Sequence, residues 1–389
     1  MRVLCLLCFV AVAGCDNDGP LPEIPDLTLA GGAQRDLASG AGGDSGSGGS
    51  SDLSTTPGAD LASVMPTPDL AGVPPGADLS VAPADLAGAP GDLALPPPGA
   101  DPNAAGPLQT ASFSLSAPVA QGIALSILVF GPSDDGKTLS MKGAPYPTVI
   151  LSPGFQINAS NYAPYGQRLA SHGFLVVAQS YRSASNHPQN RDDTLKLIDW
   201  LLAPGGPDAG KLIGRTDGKR IGATGHSLGG KVTLLAAQAD PRIVAAFGID
   251  PVNSNPPFGG VAADAVKGLG GYAGRTGFVG ETTNSMGLGA CAPAADNFQQ
   301  FYKTAAAPSL AITFNGANHN DFLDQANCLV CGVCFGGNAN KAQTLALSVK
   351  YATAFFRQHL LGDAGMADYL TGMRFAADAK GGAVSEVTK

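Results

Sequence analysis

The stretch Gly225-His226-Ser227-Leu228-Gly229-Gly230 has residue types and spacing suited to chemistry. A serine with glycine two positions before and two after fits a sharp strand-to-helix turn. The flanks agree: Arg220 to Thr224 reads as a short strand and Lys231 to Ala237 as a helix. Such a turn lifts Oγ clear of its own backbone and sets a helix N-terminus beneath it, which favours negative charge on an acyl-transfer intermediate. The chemistry implied is attack of Ser227 on an acyl carbonyl.

A serine hydroxyl is a weak nucleophile without a base to take its proton and an acid to orient that base. The chain has five histidines. His172 and His187 precede the serine, His226 sits inside the turn and is expected to point elsewhere, and His359 falls beside Arg357 in the final helix. His319, in a loop directly after the last core strand, is therefore the expected base. Two acids stay open on the residues alone. Asp250 ends the strand Ala245 to Ile249 and is followed by Pro251; Glu281 ends the next strand. Both strand ends face one cleft. Asp321 and Asp324 lie too near His319 in sequence to orient it. The oxyanion hole is expected from the N–H groups of Leu228 and of Phe155, in the loop Ser152-Pro153-Gly154-Phe155. Phe155 also offers substrate an apolar wall. No cofactor or metal is required.

These residues need a scaffold to bring them together. Two alternating runs, Ala111 to Leu115 and Gly122 to Phe130, suggest antiparallel edge strands. Six further strand-like runs follow, starting at Thr148, Leu175, Arg220, Val244, Thr276 and Leu310, with helical patterns between them. Strand alternating with helix implies a mostly parallel central sheet flanked by helices on both faces. The expected catalytic domain is 107–361, with a polar C-terminal tail at 362–389.

Residues 15–106 form a Pro/Gly/Ala/Asp-rich stretch without a single aromatic residue. It reads as a disordered linker, unable to bury enough surface to fold. Residues 16–106 hold twelve Asp, one Glu and one Arg, a net charge of −12, so the chain's acidity resides there; with Arg2 set aside, the total of −8 leaves 107–389 at about +3. No basic cluster with interleaved aromatics appears, so nucleic acid is not an expected partner. At the other end, Arg2, the apolar run Val3 to Val12, and Val12-Ala13-Gly14-Cys15 resemble a bacterial lipoprotein signal, 1–14, with Cys15 lipidated. That implies a chain exported and lipid-anchored to a bacterial membrane, periplasmic or at the cell surface; a monomer is expected. In an exported chain Cys291, Cys328, Cys331 and Cys334 are expected to form two disulfides, of open connectivity, bracing the His319 loop.

Residues Pro147 to Leu361 resemble the α/β-hydrolase superfamily, nearest to chlorophyllases and cutinase-like polyester hydrolases. The likeness rests on Leu169 to Ala178, on Gly225-His226-Ser227 with Gly229-Gly230-Lys231, and on Gly248-Ile249-Asp250-Pro251-Val252. Cys291-Ala292-Pro293, His319 with Asp321-Phe322-Leu323-Asp324, and the Cys-rich stretch at Cys328 extend it. In chlorophyllases the acid lies in the Ile-Asp-Pro-Val segment, which implies Asp250. Leu228 stands where chlorophyllases carry Arg and polyester hydrolases carry Met; Pro251-Val252 replaces the latter's Trp. The resemblance implies a serine carboxylic-ester hydrolase acting on an apolar ester. An inactive surface-displayed binding protein, or a peptidase or thioesterase using the same machinery, are the alternatives.

Overall fold

The computed structural model describes residues 95–286, 290–328, 331–334 and 336–389. The signal 1–14, Cys15 and the linker as far as residue 94 lie outside the described residues.

Among the described residues nine strands form one sheet: β1 (Thr110–Ala120), β2 (Ile123–Pro132), β3 (Tyr146–Ser152), β4 (Leu175–Gln179), β5 (Thr216–His226), β6 (Ile243–Ile249), β7 (Arg275–Glu281), β8 (Ser309–Phe314) and β9 (Val384–Thr388). Their order is β1-β2-β4-β3-β5-β6-β7-β8-β9. From β4 to β8 the neighbours pair in parallel, while β1, β2 and β9 make the antiparallel edges. The sequence dictates this division. Central strands such as Tyr-Pro-Thr-Val-Ile-Leu-Ser of β3 are buried at every position, as a sheet covered on both faces requires. β1 alternates buried and open positions, as an edge strand does.

The α-helices of the described residues cover the faces: α1 (Ala163–Ser171), α2 (His187–Leu202), α3 (Leu228–Ala239), α4 (Phe298–Thr304), α5 (Lys341–Leu360), α6 (Ala367–Leu370) and α7 (Met373–Ala379). One apolar layer sets Tyr165 and Leu169 of α1 with Phe355 and Phe356 of α5. The other joins Leu197 and Trp200 of α2 to Leu234 and Leu235 of α3. This is the α/β-hydrolase fold, and the parallel strands direct their carboxyl ends to one edge, where β5, β6, β7 and β8 deliver the expected site residues.

Two expected boundaries move. Residues 95–106, expected as linker, pack on the domain: the wholly buried guanidinium of Arg357 in α5 donates to the carbonyls of Pro97 (3.0 Å) and Ala100 (2.8 Å) and pairs with Asp363. Gly106 N–H donates to Ser171 Oγ at 2.9 Å. The segment 362–389 is no tail: α6 and α7 pack Tyr369, Leu370 and Phe375 into the core, and β9 pairs with β8.

Candidate active site

Ser227 caps α3 with φ 56° and ψ −122°. Three non-glycine residues of the described chain have positive φ, and all stand at this site: Ser227, Asp250 (φ 42°) and Gln156 (φ 57°). Such backbone is costly for residues with a Cβ and persists only where its surroundings impose it. Here they do. Ser227 N–H donates to Ile249 O (3.0 Å), its carbonyl accepts from Val252 N (3.2 Å), and Asp250 N–H donates to Val279 O (2.7 Å). The flanking glycines answer a steric demand: a Cβ on Gly229 would lie 2.0 Å from Ser152 O, and one on Gly225 would lie 2.4 Å from the Gly229 backbone. The turn is therefore wedged against the end of β3.

His319 follows β8 and Asp250 follows β6. His319 Nδ1 lies 2.6 Å from Asp250 Oδ2, with both side chains almost wholly buried. Burial pushes the Asp250 carboxyl up to about 8 and the His319 imidazolium down to about 4. Ser227 and His319 line one cavity of about 430 Å³, walled by Phe155, Ile157, Leu228, Val252 and Phe258. The Phe155 and Phe258 ring centroids lie 6.0 Å apart, with the planes tilted by 49°. The amide N–H groups of Phe155 and Leu228 have no hydrogen-bond partner among the described residues.

The other expected acid, Glu281, lies beside Asp250 but does not meet the imidazole. Its Oε2 accepts from Asn284 N at 2.7 Å, and its own N–H reaches Asp250 Oδ1 at 3.4 Å. The cysteines pair as Cys291–Cys334 and Cys328–Cys331. The first bond ties the loop after β7 to the segment after β8. Asn320, next to His319, donates to Cys331 O at 2.9 Å, so the Cys-rich segment braces the loop.

Sequence reasoning missed His226. The ring is buried rather than turned aside: Nδ1 is 3.2 Å from Tyr162 OH and Nε2 is 2.9 Å from His319 O. Tyr162 OH accepts from Gly154 N at 2.8 Å, so its proton goes to Nδ1, and Nε2–H donates to the His319 carbonyl. One chain of bonds thus joins the loop before Phe155, the serine turn and the histidine loop. Burial holds His226 well below the usual imidazole range, keeping it neutral. Lys231 was also unassigned. Its buried ammonium donates to Asn253 O (2.8 Å) and Ser254 O (3.0 Å), pinning the loop that carries Phe258. The only external signals were the histidine inside the Gly-x-Ser-x-Gly pattern and the lysine one turn into α3.

Residues 99–267 match the family model described as PET hydrolase-like. Over that segment the chain is similar to PET hydrolase-like proteins. The PET hydrolase-like segment carries Phe155, Ser227, Leu228 and Asp250 and ends before Glu281 and His319. Among curated relatives, the bis(hydroxyethyl) terephthalate hydrolase of Streptomyces coelicolor is 32% identical over 149 residues, 38% of this chain and 44% of the relative. Cutinase est2 of Thermobifida alba is 34% identical over 112 residues, 28% of this chain and 36% of the relative. Cutinase cut1 of Thermobifida fusca is 32% identical over 112 residues, 28% and 34% of the two chains. The chain thus spans less than half the length of these relatives.

Proposed function

We propose that this chain is a serine carboxylic-ester hydrolase with Ser227 as nucleophile, His319 as base and then acid, and Asp250 as the orienting acid. One observation carries the reading. A serine on a strained turn shares an apolar cavity with a histidine whose far nitrogen lies 2.6 Å from a buried carboxylate. Ser227 attacks the ester carbonyl as His319 Nε2 takes its proton, and Asp250 stabilises the imidazolium that forms. The amides of Phe155 and Leu228 hold the oxyanion. His319 returns the proton to the leaving alcohol, and water then releases the acid by the reverse sequence.

The substrate class we infer is an apolar ester, with room in about 430 Å³ for an aryl or medium acyl group against the wall that Phe155 and Phe258 form. The substrate in the Streptomyces relative's name, a hydroxyethyl terephthalate, fits that description. Export with a lipid anchor at Cys15 is part of the same reading; two disulfides support an oxidising compartment. Among the described residues no helix is long and apolar enough to cross a membrane. A panel of aryl esters of increasing acyl length, with bis(hydroxyethyl) terephthalate, tests the activity; no turnover of any member contradicts it.

A further inference from the structure

Glu281 is a buried acid for which the acyl-transfer sequence has no use. It ends β7 with 1% of its surface exposed, and Oε1 has no hydrogen-bond partner among the described residues. What its carboxyl does hold is Asn284: Oε2 accepts the Asn284 N–H at 2.7 Å, closing a tight turn. Asn284 is itself buried, and its Oδ1 accepts the main-chain N–H of His319 at 2.9 Å. Two further bonds lie in parallel, from Thr283 N to Ala317 O (3.3 Å) and from Gly316 N to Thr282 Oγ1 (2.9 Å). The turn after β7 and the loop after β8 are thereby stitched together, and the stitch closest to the imidazole is Asn284.

We propose that Glu281 is a positioning residue: it holds Asn284, Asn284 fixes the backbone of His319, and the imidazole is thereby kept against Asp250. This rests on the reading of His319 as base. A carboxyl is suited to the task because its Oε2 accepts the Asn284 N–H whether or not it is ionised, and burial with the neighbouring Asp250 pushes it up to about 8, which disfavours two like charges side by side. Displacing a base by about 1 Å costs on the order of 100-fold in rate, so loss of the link should appear in kcat rather than KM.

The test compares Glu281→Gln, Glu281→Ala, Asn284→Ala and the Glu281→Ala/Asn284→Ala double variant on one aryl ester, with a melting curve for each. Glu281→Gln, whose amide oxygen can still accept, should stay within about threefold of the parent. The two alanine variants should each lose roughly 10- to 100-fold in kcat with KM nearly unchanged, and the double variant should be no worse than the poorer single one, because residues acting through one link are not additive. Losses that multiply, a Glu281→Gln loss equal to that of Glu281→Ala, or a loss carried by KM would overturn the proposal. If Glu281→Ala does not fold, downfield proton NMR of Asn284→Ala decides. The proton shared by His319 Nδ1 and Asp250 should shift or broaden, and an unchanged resonance overturns the link. Ser227→Ala in the same assay keeps the questions separate: its full activity would refute the base assignment, whereas an inactive Ser227→Ala with additive Glu281 and Asn284 losses refutes only the link.

Discussion

His319 Nδ1 and Asp250 Oδ2 stand 2.6 Å apart although 69 residues separate them in sequence, and the carboxylate that meets the imidazole comes from β6 rather than β7. Pro251 stiffens the turn at the end of β6, and the positive φ of Asp250 swings its side chain across to the His319 loop. Asp250→Asn should therefore damage catalysis far more than Glu281→Gln. An amide can offer NH2 where a carboxylate must accept, favouring the wrong imidazole tautomer, and the loss can reach about 10⁴-fold in the serine-protease template. Initial rates at saturating and subsaturating ester check this. A larger loss in Glu281→Gln would transfer the acid to Glu281.

Tyr162 joins Gly154 to His226, and His226 reaches His319. Tyr162→Phe removes the shared hydroxyl and leaves two buried partners unsatisfied, at about 1–3 kcal/mol each. Melting temperature should fall, and kcat should fall about tenfold or more because both the oxyanion loop and the histidine loop lose a support. Unchanged kinetics would show that the two loops hold their places independently.

The pH dependence has a definite sign. His319 must be neutral beside an ionised Asp250 to accept the serine proton. Burial opposes both charges, lowering His319 to about 4 and raising Asp250 to about 8, so the first proton leaves the pair near the lower value and the last, whose loss gives the active form, near the upper one. kcat/KM should rise with pH through a one-proton limb towards about pH 8. A decline with rising pH below 8 contradicts the assignment.

Arg357 is 1% exposed and donates to Pro97 O and Ala100 O. Removing residues 16–94 should leave the melting temperature close to that of the longer chain. Extending the deletion through 106 strips a buried guanidinium of two acceptors and should lower it by several degrees. Equal melting curves for both truncations would refute a structural role for 95–106.

Eight strands and the main helices were legible because their burial follows simple periods: apolar runs in β3, β4, β6 and β8, alternation in β1, and the Gly-x-Ser-x-Gly signature between β5 and α3. β9 was not, because Val384-Ser-Glu-Val-Thr is a polar edge strand whose sole fully buried side chain is Val384. Nor was the segment 95–106, whose composition matches the chain before it; what orders it is an arginine more than 250 residues away. Among residues of the candidate site, Ser227 and His319, which line one cavity, had been singled out by motif and elimination. Asp250 against Glu281 was a matter of side-chain direction, set by a backbone φ that no pattern encodes. His226 was hidden for a related reason: its partners, Tyr162 and His319, come from α1's approach and the β8 loop, and only the folded sheet brings them to one ring.

The account turns on Ser227 as the nucleophile. The direct measurement is labelling of the intact chain with a fluorophosphonate, followed by peptide mass analysis, beside the aryl-ester activity of Ser227→Ala. The account predicts one adduct, on the peptide holding Ser227, its absence in Ser227→Ala, and a loss of activity of about 10⁴-fold or more with the melting temperature nearly unchanged. Labelling at another residue, or a Ser227→Ala variant that still hydrolyses the ester, would contradict it.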